Sequence, residues 1–397
     1  MIPLQDNSML PAGFRAAAVQ CGIRPRRKRL DLGLVLADEA CPAAAIYTTN
    51  VLQGAHIPVC QEHLARSGGM VRALLVNSGN ANCSTGQAGI EDNRRVCRAL
   101  AELIGCPPEQ VLFLSTGVIG ARLPVEKILE ALPELLGQDA QQGPMAFTQS
   151  IMTTDLVPKL VARSCADSKG RLFRVTGIAK GSGMIHPNMA TMLSFLLTDA
   201  RCELDMRQTL QRTADLSYHR LTVDGDTSPN DTVVLWTSRR QEVEPSSALP
   251  EALREISQDL ARRIAVDGEG ATRLVTVEVK GAPTEQDAVL VGRTIATSPL
   301  TKTAVHGRDP NWGRILAAAG RAGIRFDAEK ARVWIGSSEV YSLGVPHPEN
   351  ENAAHLHMLN EKEVVLGIDL ALGSAEAQVW TCDFSADYVH INADYRS

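Results

Sequence analysis

Residues 180–195, KGSGMIHPNMATMLSF, carry the densest signal in the chain. Glycines at 181 and 183 and Pro187 mark a tight, irregular loop, and an apolar run, residues 192–197, begins directly after Ala190-Thr191. Thr191 therefore stands where a constrained loop meets a buried element. A threonine there has two readings. One is structural: an N-cap, or a buried hydroxyl satisfied locally. The other is chemical. A Thr hydroxyl reaches the carbonyl carbon of the preceding residue through a five-membered ring. Attack on the Ala190 carbonyl turns the amide into an ester, water hydrolyses the ester, and Thr191 is left with a free α-amine beside its own hydroxyl. With a reference pKa of about 7.7 to 8.0, that amine is partly neutral at cell pH and can activate the hydroxyl as its base.

Outward from this stretch, strand-like and helix-like segments alternate. Residues 73–76 (ALLV) read as a buried strand entering a polar turn, Asn77-Ser78-Gly79-Asn80. Residues 93–104, 125–136, 206–216 and 251–264 carry apolar positions at helical spacing, and Pro133 predicts that the second of these ends or bends there. Towards the C-terminus the period changes to two. Val275, Val277 and Val279 share one strand face, and Leu366, Ile368, Leu370 and Leu372 share another. Residues 242–250 (EVEPSSALP) read as a surface linker. The mixture without a strict βαβ rhythm predicts a layered α/β (α+β) fold, its sheets sandwiched by helices.

The bulk properties exclude several classes. The chain has 397 residues, 44% hydrophobic and 21% charged, with a formal net charge of −5; the length predicts two domains or lobes. An acidic balance argues against a nucleic-acid partner, and the basic run at 24–29 (RPRRKR) is read as a solvated loop. The nine cysteines, Cys21, Cys41, Cys60, Cys83, Cys97, Cys106, Cys165, Cys202 and Cys382, are widely spaced and include no CxxC, which predicts reduced thiols in a cytoplasmic protein. The opening MIPLQDNSML reads as no signal peptide, and no apolar run approaches the roughly 18 to 20 residues needed to cross a bilayer.

Eight blocks, in order, resemble one family. They are residues 31–50 (DLGLVLADEACPAAAIYTTN), 76–86 (VNSGNANCSTG), 115–120 (STGVIG), 152–155 (MTTD), 222–232 (TVDGDTSPNDT), 267–272 (DGEGAT), 307–315 (GRDPNWGRI) and 388–397 (YVHINADYRS). With GMIHPNMATML they make the chain similar, over nearly its whole length, to the ornithine acetyltransferases, or bifunctional glutamate N-acetyltransferases, the ArgJ family. The resemblance favours the chemical reading of Thr191. It implies an N-terminal-nucleophile-type precursor of the ArgJ/DmpA-like fold, cleaved into residues 1–190 and 191–397. It also implies a ping-pong transfer of acetyl from N-acetyl-L-ornithine to L-glutamate through acetyl-Thr191 in arginine biosynthesis. No cofactor is needed, because the acetyl group never leaves the protein as a free species. Some members of the family also use acetyl-CoA, and the family suggests two copies of each fragment, an α2β2 heterotetramer.

The resemblance also assigns roles. Thr116 and Gly117, after the apolar run 111–114, match the oxyanion hole that acyl transfer requires; read alone, they are a strand-end turn. Lys180 matches a substrate-carboxylate position, and Glu269, between two glycines, an acceptor for the substrate ammonium. Thr154, Asn392 and the final Ser397 match further substrate positions, with Thr153 leaving a one-residue ambiguity and serine standing where the family usually has threonine. Asp224-Gly225-Asp226, Asn230-Asp231 and Asp309 to Trp312 lack the spacing of a cation loop and are read as loop-fixing hydrogen-bonders. His355 and His357 are read as surface residues. The first alternative keeps the nucleophile but passes the acyl group to water, as an amidase or aminopeptidase of the same fold. The Lys180 and Glu269 charges favour an amino-acid acceptor over it. The second is a non-catalytic binding protein, which would stay uncut on a denaturing gel.

Overall fold

The computed structural model describes residues 9–24, 29–137, 139–186, 192–201, 203–244 and 248–394. Two compact units are interleaved along the chain. The first comprises residues 1–181, 188–219 and 227–260, and the second residues 182–187, 220–226 and 261–397. The stretch at 242–250 therefore does not separate domains. A strand runs to Glu242, a helix begins at Ala248, and the unit boundary falls inside that helix, after Leu260.

The first unit holds β1 (Phe14–Val19), β2 (Leu32–Tyr47), α1 (His56–Arg66), β3 (Met70–Asn80), α2 (Gly86–Ile104), β4 (Val111–Val118), α3 (Val125–Leu136), β5 (Gln141–Gln142) and α4 (Pro144–Ile151). It continues with β6 (Lys159–Ala166), β7 (Leu172–Lys180), β8 (Leu193–Arg201), α5 (Met206–Asp215), β9 (Thr232–Glu242) and the first part of α6 (Ala248–Val266). Strand order is β4-β3-β2-β9-β8-β7-β6, with β1 beside β2. β2 is the hinge of this sheet. Its first part pairs with β3 from Leu32 to Pro42, and Ala43 to Tyr47 then pair with β9. The two halves face each other across one apolar core. Val35, Leu74 and Leu114 from one half meet Phe195, Leu197 and Trp236 from the other, and Phe14 and Trp236 meet edge-on, 4.9 Å between ring centroids.

Helices cover the outer faces. Val96, Leu100, Ile128 and Leu132 of α2 and α3 pack on Leu34, Leu75 and Phe113. On the other half, Ile256 and Leu260 of α6 lie so close to Gly177 that a Cβ there would meet them at 2.4 and 2.7 Å. α3 does not end at Pro133 but continues to Leu136. A proline removes one backbone donor, while Leu132 and Leu135 anchor the final turn in the core. Likewise β3 and β4 do not stop at residues 76 and 114: their parallel ladder continues to Asn80 and Val118 through a register shift.

The second unit adds β10 (Leu274–Ala282), α7 (Glu285–Ala296), α8 (Pro299–His306), α9 (Trp312–Gly320), β11 (Arg332–Ile335), β12 (Ser338–Ser342), β13 (Val345–Pro346), α10 (Glu351–Asn360), β14 (Glu363–Asp369), β15 (Ala375–Cys382) and α11 (Ala386–Ala393). Its sheet order is β13-β12-β11-β14-β10-β15, with β10 parallel to β14. The period-two faces read from sequence are buried: Val275, Val277 and Val279 with Leu366, Ile368 and Leu370. Leu372 lies beyond β14 and is exposed. Asn311 caps α9 by accepting from the Arg314 amide at 3.1 Å, as expected of a loop-fixing residue. His357 accepts the Val365 amide at 3.1 Å and is partly buried, so only His355 is exposed as expected. The eight described cysteines are free thiols, five of them buried. Among the described residues, no helix is long and apolar enough to cross a membrane.

The first unit contains a pH-dependent element. His56 on α1 is fully buried beside Thr232, and burial lowers its pKa from 6.5 to about 4. The unfolded chain therefore binds a proton between pH 6.5 and 4 that the folded chain refuses. The His56 contribution is present above pH 6.5 and is lost as pH falls through that window. Urea unfolding at pH 7 and pH 4.5 is expected to show this loss in the wild type, with a ceiling of roughly 3 kcal/mol for a shift of this size, and a flatter pH dependence in His56→Gln.

Candidate active site

In the first unit, the end of β7 meets the end of β4. Lys180 is the last residue of β7, paired with Leu193 at the start of β8. Its side chain is buried, and its ammonium donates to the Thr116 hydroxyl at 3.3 Å. Two of the residues expected at the site are thus in contact. Gly117 follows at φ +136°, where its backbone crowds the other strand: a Cβ would lie 2.4 Å from the Gly79 carbonyl carbon and 2.5 Å from the Asn80 nitrogen. No other residue fits, so the register shift between β3 and β4 turns on the absence of a side chain at 117.

The charge on Lys180 is held by residues that the sequence reading gave no role. Asp155 accepts from the Lys159 ammonium at 2.8 Å, and both side chains are fully buried. It also accepts from the Gly181 amide at 2.7 Å and the Thr153 amide at 2.9 Å. Burial opposes ionisation of Asp155, but Lys159, Lys180 and these donors outweigh it and hold the carboxyl well below the usual range. Burial lowers the Lys180 pKa, with Asp155 and Asp231 opposing the shift and Lys159 reinforcing it. Thr154 lies on the turn between Thr153 and Asp155; both threonines are half-buried. Arg24 is not part of a free basic loop: its guanidinium donates to the Met152 carbonyl at 2.8 Å, and its stem lies over Gly79.

In the second unit, residues 182–186 of the glycine loop are wrapped by polar contacts. Ser182 donates to the Asp267 carbonyl at 2.6 Å and accepts the Glu269 amide on its own carbonyl at 3.0 Å. Asp224 accepts the Met184 and Ile185 amides at 2.6 and 2.9 Å, which fulfils the loop-fixing role expected of it. His186 joins Thr222 at 3.1 Å and the Arg293 guanidinium at 2.7 Å. Burial, reinforced by that guanidinium, lowers the His186 pKa to about 4, so the ring is neutral at pH 7.

Glu269 and Asn392, both expected at the site, are joined: Asn392 donates to the Glu269 carboxylate at 2.9 Å. The 267–272 loop is pinned from the start of α11. Ser385 donates to the Gly270 carbonyl at 2.6 Å, and Asp383 accepts the Thr272 amide at 2.7 Å. Gly183 leaves room for the Glu269 carboxylate, since a Cβ there would come within 2.3 Å of it. Ala190, Thr191 and Ser397 lie outside the described residues.

Comparison with known proteins identifies the chain. The model of the ArgJ family matches residues 15–397. The chain belongs to the ArgJ family. Among curated relatives, the arginine biosynthesis bifunctional protein ArgJ of Parasynechococcus marenigrum is 45% identical over 387 residues, covering 97% of this chain and 94% of its own. That of Dehalococcoides mccartyi is 44% identical over 402 residues, covering 99% and 98%. A solved ArgJ structure from Bacillus halodurans is 38% identical with a TM-score of 0.50, matched over all of its chain by 52% of this one. The protein is accordingly an arginine-biosynthesis enzyme, an acyltransferase on a layered α/β fold.

Of the acidic residues the sequence reading passed over, Asp155 could have been suspected only from its place in the MTTD block, because nothing in a sequence reports that Lys159 and Lys180 are buried around it. Two substitutions test the arrangement. Asp155→Ala leaves the Lys159 ammonium buried without its carboxylate and is expected to cost about 3 to 5 kcal/mol of stability in urea unfolding. Gly183→Ala is expected to displace the Glu269 carboxylate, raising KM for the amino-acid substrates several-fold while the unfolding midpoint moves little.

Proposed function

We propose that the chain cuts itself between Ala190 and Thr191 and then carries acetyl from N-acetyl-L-ornithine to L-glutamate on the Thr191 hydroxyl. Membership of the ArgJ family supports this reading. The observation that carries the site assignment is the buried contact between Lys180 and Thr116. A tetrahedral oxyanion needs donors already in place, and here a hydroxyl at a strand end is backed by an ammonium away from water. Charge developing at that point is met without solvent having to reorganise.

The remaining residues take complementary parts. Gly117 supplies an unhindered backbone beside Thr116. Thr154 and Lys180 serve the substrate carboxylate, and Glu269 with Asn392 serves the substrate ammonium, with Ser397 as a further substrate-binding position. The Thr191 amine takes the hydroxyl proton as oxygen attacks the acetyl carbon, and returns it to ornithine as the C–N bond breaks; glutamate then attacks acetyl-Thr191 by the reverse sequence. No cofactor enters this scheme. We further assign acetyl-CoA as a second donor, in keeping with the word bifunctional in the relatives' names. We also propose that two copies of each fragment assemble in the cytoplasm as an α2β2 heterotetramer.

Intact-mass measurement of the purified protein is expected to give two chains, 1–190 and 191–397, with Thr191→Ala uncut and inactive; a single uncut chain with full activity would overturn the reading. Assays with N-acetyl-L-ornithine and with acetyl-CoA, run side by side with glutamate as acceptor, test both donors. Thr116→Ala is expected to lower kcat by roughly 10² to 10³, the usual loss for one oxyanion donor, with little change in KM, whereas Thr116→Ser retains most activity.

A further inference from the structure

β4 is an edge strand, and side chains close its open edge. Its Val111 and Phe113 carbonyls accept from His63 Nδ1 at 2.8 Å and from the Asn93 amide at 2.9 Å. Both donors come from helices that pack on β4, α1 and α2. The next carbonyl in this series, that of Ser115, is met from elsewhere in the fold: the Asn230 side chain, just before β9, donates to it at 2.8 Å. The same nitrogen donates at 2.6 Å to the Ala81 carbonyl, just past the end of β3. A carboxamide nitrogen carries two protons, and Asn230, 5% exposed, gives one to each strand end.

Asn230 therefore spans the two halves of the sheet. Thr232, two residues on, pairs with Leu193 of β8, and Leu193 pairs with Lys180 of β7, so one row of the sheet leads from the start of β9 to Lys180. On the other side, Ser115 is bonded to Thr116, whose hydroxyl accepts from Lys180 at 3.3 Å. Thr116 and Lys180 belong to different halves, and Asn230 is a buried brace between those halves, one residue from where they meet. Gly54 leaves the brace its space. The Gly54 amide donates to the Pro229 carbonyl at 2.9 Å, and a Cβ on it would come within 2.9 Å of the Asn230 carboxamide.

We propose that Asn230 is a positioning residue for the oxyanion donor: its carboxamide fixes the end of β4 so that the Thr116 hydroxyl stays where the developing charge needs it. This rests on the reading of Thr116 given above. Oxyanion stabilisation depends on donors that are in place before charge develops, and a misplacement of about 1 Å can cost on the order of 10²-fold in rate. Without the Asn230 carboxamide, the Ser115 and Ala81 carbonyls lose a donor in a buried place, where backbone groups need partners, and the end of β4 can shift relative to Lys180. The brace offers no group to the substrate. Its effect therefore belongs to the chemical step and not to substrate binding.

The test is a cycle of Asn230→Ala, Thr116→Ala and the double variant, assayed for acetyl transfer from N-acetyl-L-ornithine to L-glutamate. Intact mass of Asn230→Ala is expected to match the wild type in processing. Its kcat is expected to fall at least about tenfold, with KM for both substrates within about threefold. In the Thr116→Ala background the same substitution is expected to cost less than about threefold more, because the donor it positions is already gone. A general structural defect would multiply instead, so an equal loss in both backgrounds overturns the proposal. Wild-type kcat in Asn230→Ala overturns it as well. So does an uncut variant, which would place Asn230 in processing, and a rise in KM alone, which would make it a substrate subsite. Gly54→Ala is the second variant. It keeps Asn230 but pushes the carboxamide off the two carbonyls, and it is expected to reproduce the kcat loss and its dependence on Thr116. If Asn230→Ala does not fold, Gly54→Ala decides; failure of both to fold would assign Asn230 to the fold alone and overturns the proposal. Wild-type protein that transfers no acetyl, or Thr116→Ala with wild-type kcat, would instead sink the underlying reading of Thr116.

Discussion

Asp155 lies within a group of buried charges and ties the end of β7 to the turn and strand start that flank Asp155 itself in sequence. Its carboxylate accepts hydrogen bonds from the Lys159 ammonium at the start of β6, from the Gly181 amide just after β7, and from the Thr153 amide on the turn before it. Lys180, at the end of β7, adds a second buried ammonium whose charge Asp155 helps to hold. Removing these charges from water is expensive, and the arrangement persists only because each is answered locally. The consequence is positional: the strand end that carries Lys180 is fixed where its ammonium meets Thr116.

The sheet supplies the rest of that geometry. β2 is long enough to pair with β3 along its first part and with β9 along its last five residues. The half carrying β4 and the half carrying β7, β8 and β9 are thereby folded onto one core. Thr116 and Lys180, 64 positions apart, become neighbours through this turn of the sheet. Gly117 completes the arrangement by allowing the β4 end to run against Gly79 and Asn80, which any side chain would prevent.

Within the second unit, a different economy holds the glycine loop. Asp224, Thr222, Asp267 and Glu269 receive or supply hydrogen bonds to residues 182–186, and α11 pins the loop that carries Glu269. Buried backbone groups in an irregular segment must find partners outside regular ladders, and this unit provides them through short polar side chains. The same contacts leave Glu269 with Asn392 as a partner and with the space that Gly183 keeps open.

Much of this was legible beforehand where the cause is local. Period-two faces in β10 and β14, helical spacing in α2, α3, α5 and α6, and the glycine loop before the apolar run of β8 all follow from side-chain pattern, because the core is apolar and backbone geometry is periodic. Eight ordered blocks of residues carried the family. The strand ends were misjudged at residues 76 and 114 because a parallel ladder can outlast the apolar run that starts it, and α3 does not end at Pro133 because packing of Leu132 and Leu135 outweighs one lost donor. Of four acidic residues, only the loop-fixing role of Asp224 was legible in advance. Asp224 fixes a loop, Asp155 neutralises buried lysines, Glu269 accepts from Asn392, and the Asp231 carboxylate finds no hydrogen-bond partner among the described residues. In sequence they are four carboxylates beside turns; burial and the identity of long-range neighbours separate them, and those exist only once the chain has folded.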